Sequence, residues 1–144
     1  MKIYLDACAI QRPLDNLERT RIRLEAEAIL DILLLIEKGQ FLLVSSDVLL
    51  LEIEPIGTYL RKRHCLAVLK MAQQSVTINA ESKALAKDYE AYGVKPFDAL
   101  HLASAVVSQC DYLCTCDDRF WRSANRIANL PLRVVTPLQL IDEV

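Results

Sequence analysis

Short apolar runs alternate along this chain with segments whose apolar residues recur at helical spacing, and that alternation restricts the fold more than any other feature. The runs lie at 2–5 (KIYL), 41–44 (FLLV), 76–78 (VTI), 111–115 (DYLCT) and 132–135 (LRVV). Between the first two, Ile22, Ala26, Ile29, Leu33 and Ile36 predict one long helix over 17–36, stopped by Gly39. Ser45 and Ser46 can cap a helix over 47–54 that Pro55 and Gly57 end. Further helices are predicted over 58–74, over 81–92 with Gly93 closing it, over 96–109 with Pro96 at its first position, briefly from Asp117, and over 138–142. Strands that alternate with helices make a three-layer α/β/α sandwich with a mostly parallel central sheet and right-handed crossovers. A chain of 144 residues suits a single domain, 1–144.

The remaining composition narrows the setting. A hydrophobic fraction of 53% with three glycines gives a compact, helix-rich protein with a real core. No run approaches the ~18–20 apolar residues that span a bilayer, and Met1 leads at once into the first strand, so the expectation is a cytoplasmic protein with no membrane segment. Five cysteines, an odd number, fit a reducing compartment better than a disulfide framework. Cys114-x-Cys116 lacks the second ligand pair of a zinc site and reads as alternation in a buried strand. A net charge of −2 argues against a cation-coated nucleic-acid binder, although basic patches can stand beside an acidic site.

In a parallel sheet of this kind the strand carboxyl ends and the helix amino ends meet along one edge, where ligands bind. Four acids map to that edge: Asp6 after the first strand, Glu52 after the second, Asp98 in the first turn of its helix, and Asp117 after the strand at 111–115. A helix dipole explains an acid at each place separately, at about 0.3–1 kcal/mol apiece, but not their convergence. Two carboxylates about 5 Å apart repel by roughly 3 kcal/mol at an effective dielectric near 20, and a divalent cation removes that penalty. Hard oxygen donors point to Mg²⁺ or Mn²⁺, ions that share their coordination with phosphate oxygens and promote phosphodiester hydrolysis. Glu52 competes with Glu54 and Asp47 for its place, and Asp117 with Asp118.

These segments resemble the PIN domain, a superfamily of small metal-dependent nucleases, over nearly the whole chain. The resemblance rests on an acid closing the first strand in IYLDACAI, on SSDVLLLEIE, on FDALHLASA, and on the Thr-x-Asp-x-x-Phe pattern of TCDDRF. It implies Asp6, Asp98 and Asp117 as metal ligands, Glu52 as a ligand directly or through water, and Thr115 as a hydrogen-bonding support. It also implies Mg²⁺ or Mn²⁺ as cofactor and RNA as substrate. Cys8 stands where many members carry Asn or Ser, which bears on a secondary hydrogen bond and leaves the acids untouched. Many small relatives are toxins of VapBC-type modules, homodimeric and inhibited by a small antitoxin protein.

His101, one turn from Asp98, reads as a satisfied, partly buried histidine before it reads as a ligand or proton shuttle, and Tyr4 and Phe120 read as core. Arg61, Lys62 and Arg63 read first as a solvated helix face. Arg12, with Arg19, Arg21 and Arg23, lies nearer the Asp6 edge and is the better candidate for phosphate contact. The leading expectation is thus a metal-dependent endoribonuclease. The alternatives are a catalytically silent PIN-fold nucleic-acid-binding or assembly module, which the four intact acids oppose, and a phospho-acceptor receiver domain, which would need an acidic pair where Asp6 stands alone.

Overall fold

A computed structural model describes residues 1–144. Its strands are β1 (Lys2–Leu5), β2 (Leu42–Ser46), β3 (Gln74–Val76), β4 (Tyr112–Cys114) and β5 (Arg133–Val135), joined in one sheet of order β3-β2-β1-β4-β5. Every pairing is parallel, with Tyr4 opposite Val44 on one side and Leu113 on the other. A parallel sheet has to be covered on both faces, and in β1 Ile3, Tyr4 and Leu5 are all fully buried, which is why that run carries no polar alternation. The expected three-layer α/β/α sandwich is present.

Eight helices supply the cover: α1 (Ala7–Gln11), continued by a 3-10 turn at Arg12–Leu14, then α2 (Thr20–Glu37), α3 (Asp47–Ile53), α4 (Tyr59–Leu69), α5 (Ala80–Glu90), α6 (Pro96–Val107), α7 (Asp118–Ala124) and α8 (Pro137–Asp142). Helix α6 packs against α5 and lies on β2 and β4, while α8 packs against α2 and lies on β4 and β5. Buried Ala99, Ala103 and Ala105 let α6 approach the sheet closely. Gly39, at φ +75°, ends α2 in the left-handed conformation that suits glycine. No helix is long and apolar enough to cross a membrane.

Two segments depart most from the sequence expectation. The short helix α1 and its 3-10 extension occupy residues too few to show a period, so the sequence does not predict them. The helix expected to reach residue 74 ends at Leu69, because turn hydrogen bonds from Met71 and Ala72 back to Val68 and Leu69 close it. The Gln73 amide N–H then donates to the Leu43 carbonyl at 3.1 Å, and its side-chain oxygen accepts from the Leu43 N–H at 3.0 Å. Pairing therefore begins early and β3 is Gln74–Val76, two residues ahead of the apolar run that suggested it. Ile78 has left the sheet, and its N–H donates to the Asp47 carboxylate at 3.2 Å.

The chain order places the site. From β1 it moves outward through β2 to β3, then crosses back to β4 on the other side of β1. The carboxyl ends of β1 and β4 thus flank a topological switch point, the usual ligand crevice of an open parallel sheet.

Candidate active site at the carboxyl edge

Asp6 follows β1 directly and is 3% exposed. It caps α1, accepting the Ala9 N–H at 2.9 Å and the Cys8 thiol at 3.1 Å on one carboxylate oxygen. Burial raises its pKa, opposed by the Thr115 hydroxyl, the Ala9 N–H and the nearby His101. Cys8 therefore still provides a hydrogen bond to the first acid, through sulfur, and its thiol also lies 3.5 Å from Thr115 Oγ1. Burial and the Asp6 charge hold that thiol protonated.

Thr115 is fully buried just beyond β4, and its hydroxyl accepts the Asp117 N–H at 3.0 Å. That bond shapes the turn from which Asp117 caps α7, with one carboxylate oxygen accepting from Arg119 N–H at 2.9 Å and Phe120 N–H at 3.1 Å. The other oxygen accepts neither of these bonds. Asp118, one residue on, turns to a bidentate pair with Arg21, which lowers its pKa.

Asp98 lies in the first turn of α6, directly after exposed Phe97, and is half-buried. Its carboxyl is pushed up to about 6, first by burial and then by the charge of Asp6; His101 acts in the opposite direction, and Asp117 and Glu52 raise it further. Three acids from three other segments therefore lie within electrostatic reach of Asp98. Glu52 comes from α3, where its carboxylate meets His101 Nε2. Its sequence competitors are engaged elsewhere, Asp47 with the Ile78 N–H and Glu54 with Lys62.

His101 is 1% exposed, and its Nδ1 lies 2.5 Å from the Tyr4 hydroxyl, which is 2.6 Å from Ser46 Oγ. The histidine is buried and satisfied, as its sequence position suggested, but its partner is an acid of the edge. That partnership was not legible in sequence, because Glu52 and His101 are 49 positions apart.

Arg12, Arg21, Arg61 and Lys62 have intramolecular partners. Arg12 pairs with Asp15 at 3.0 Å and Glu25 at 3.4 Å and donates to the Cys116 carbonyl at 3.3 Å. It lines a cavity of about 280 Å³ with Arg19, Arg21, Glu25 and Asp118, next to the acid edge in sequence. Burial raises the pKa of Glu25, opposed by Arg12 and Arg21, and nothing local in the sequence of α2 marks it as a partner of these arginines. Arg61 donates to Gln11, Asp15 and the Leu14 carbonyl, and His64 Nε2 lies 2.9 Å from the Ile10 carbonyl. These contacts fasten α4 to the segment after β1. A larger groove of about 480 Å³ runs along α4 past Tyr59, Lys62, Arg63 and Lys70, away from the acids.

No three His, Cys, Asp and Glu side chains close into a ready metal cage. The donor set nonetheless fits a small hard cation, since Mg²⁺ retains several waters and needs few direct protein oxygens. Mutual repulsion of the acids is the driving force such an ion would relieve.

Fold and edge together define an α/β protein with an acidic site at the switch point of a parallel sheet. The chain belongs to the PIN domain family, whose model matches residues 3–125; PIN domains are usually nucleases. Its structure is similar to VapBC2 from Rickettsia felis, solved bound to a DNA fragment from their promoter, with a TM-score of 0.59 and 15% identity over 94% of this chain and 98% of that one. At that identity the likeness concerns the fold. No curated protein matches this chain significantly.

Proposed function

We propose that this chain is a divalent-metal-dependent endoribonuclease that hydrolyses RNA phosphodiester bonds and acts as the toxin of a type II toxin–antitoxin module. The observation that carries the reading is the gathering of four acids at the switch point, seen at Asp98, whose carboxyl is pushed up to about 6 first by burial and then by the charges of Asp6, Asp117 and Glu52. The charges that act on Asp98 are unfavourable without a cation, and Asp6, Asp98 and Asp117, with Glu52 directly or through water, are the residues that would hold one. When bound, Mg²⁺ or Mn²⁺ supplies Lewis-acid chemistry to water and to the leaving oxygen.

The chain's own residues do the rest. Thr115 fixes the turn carrying Asp117, Cys8 and the Ala9 N–H restrain Asp6, and Arg12, which lines one cavity with Arg19 and Arg21, would meet phosphates of the RNA strand by exchanging its present carboxylate partners. The toxin role rests on the family and on the likeness to VapBC2. A protein partner, either a small antitoxin or a second copy of the chain, would have apolar surface to cover: Leu51 is 57%, Tyr59 72% and Leu60 68% exposed.

The test is to incubate the purified protein and its Asp98→Asn variant with labelled RNA, with and without Mg²⁺ or Mn²⁺. Cutting that needs the ion and disappears in the variant is expected. Equal cutting by both proteins would sink the assignment.

A further inference from the structure

Ser46, Tyr4, His101 and Glu52 belong to β2, β1, α6 and α3, yet their side chains form one hydrogen-bonded line that runs out of the core to the acid edge. Tyr4 and Ser46 are 0% exposed, and His101 1%. Donor bookkeeping gives the line a direction. Ser46 Oγ accepts the Leu49 N–H at 3.2 Å and can still donate its own hydrogen to Tyr4 Oη, 2.6 Å away. The phenol hydrogen can then be donated to His101 Nδ1, 2.5 Å away. An accepting Nδ1 leaves the imidazole proton on Nε2, and Nε2 faces a carboxylate that can only accept when ionised. Each donor has one acceptor, and the last acceptor is Glu52.

We propose that Tyr4 and His101 are positioning residues: they lock the imidazole in the Nε2–H tautomer, which holds the Glu52 carboxylate in the orientation a divalent cation at the acid edge requires. This rests on the metal-dependent nuclease reading. Both imidazole nitrogens are occupied, so His101 itself is not a ligand. Helix α6 thereby contributes twice, presenting Asp98 directly and fixing Glu52 from one turn further along through His101. Outer partners of this kind commonly change metal affinity 10–100-fold when removed.

Two measurements decide it. Proton–nitrogen correlation spectra of the protein labelled with ¹⁵N-histidine, with His101 signals identified through His101→Gln, should show the proton held on Nε2; a ring protonated on Nδ1 alone or rapid exchange between tautomers overturns the proposal. Mn²⁺ binding, read from the paramagnetic signal of the free ion, should weaken about tenfold or more in Tyr4→Phe and His101→Leu. His101→Gln, whose amide N–H can stand in for Nε2–H, should retain more affinity than His101→Leu, while metal-free circular dichroism reports whether each variant is folded. Parent-like Mn²⁺ affinity in Tyr4→Phe and His101→Leu overturns the positioning role alone. Failure of the parent chain both to bind Mn²⁺ and to cut RNA overturns the nuclease reading and this proposal with it.

Discussion

Asp98 shows how much one carboxyl can report. Folding raises it from 3.8 to about 6, so the folded, metal-free chain binds that proton more tightly than the unfolded chain does. The destabilisation due to this group is therefore absent below 3.8, grows as pH rises, and is fully present above about 6. Two outcomes are expected. Metal-free Asp98→Asn should melt higher than the parent at pH 7, by about 2–4 °C, with the difference fading at pH 4; calorimetry in EDTA at both values checks this. Mn²⁺ affinity of the parent should fall as pH drops through about 6, because the proton competes with the ion; a flat profile between pH 5 and 7.5 would contradict the assignment. RNA cleavage by Asp98→Asn should drop on the order of 100-fold or more. At this scale the acids themselves were legible, since strand ends and helix starts can be read from local pattern. Their partners were not: the Tyr4–His101–Glu52 line joins residues from three distant segments, and nothing local in KPFDALHLASA says that the histidine faces another helix's acid rather than Asp98.

Helix α7 shows how an element and a site share one residue. Asp117 gives one oxygen to the Arg119 and Phe120 N–H groups, and its charge reaches Asp98. Asn caps a helix about as well as Asp, whereas Ala does not. Asp117→Asn should therefore keep metal-free stability while losing metal-dependent cleavage, and Asp117→Ala should lose cleavage and about 1 kcal/mol of stability besides, measured by urea denaturation. Loss of stability in Asp117→Asn equal to that in Asp117→Ala would mean that the charge, not the cap, supports the helix. The same division between local and distant causes governs how the elements were read. Helix α6 was legible because Pro96 marks its start and its apolar face repeats; Ser46 marked α3 in the same way. The true start of β3 was not, because it is set by the pairing of Gln73 with Leu43, a contact 30 residues away that overrides the apolar run at 76–78. Helix α1 was missed because five residues cannot display a helical period.

At the scale of the whole molecule, the acid edge ties together segments that have little else in common. Asp6 follows the central strand, Asp117 follows β4, Glu52 rides on α3 after β2, and Asp98 opens α6 before β4. An ion held by oxygens from all four would link both sides of the switch point, so its binding energy would act on global unfolding rather than on one loop. Saturation at about 100 times the dissociation constant adds roughly 2.7 kcal/mol, which for a chain of this size raises Tm by about 5–10 °C. Thermal melts in millimolar Mn²⁺ should show that rise, EDTA should reverse it, and Asp98→Asn should abolish most of it even though the same variant is the more stable one without metal. That inversion distinguishes the proposed site from ordinary surface screening. Salt screening relieves repulsion in parent and variant according to their charge and is reproduced by Na⁺ at equal ionic strength, whereas a coordinated ion is not. A rise given equally by NaCl and MnCl₂ would show that the four acids repel one another without sharing a cation.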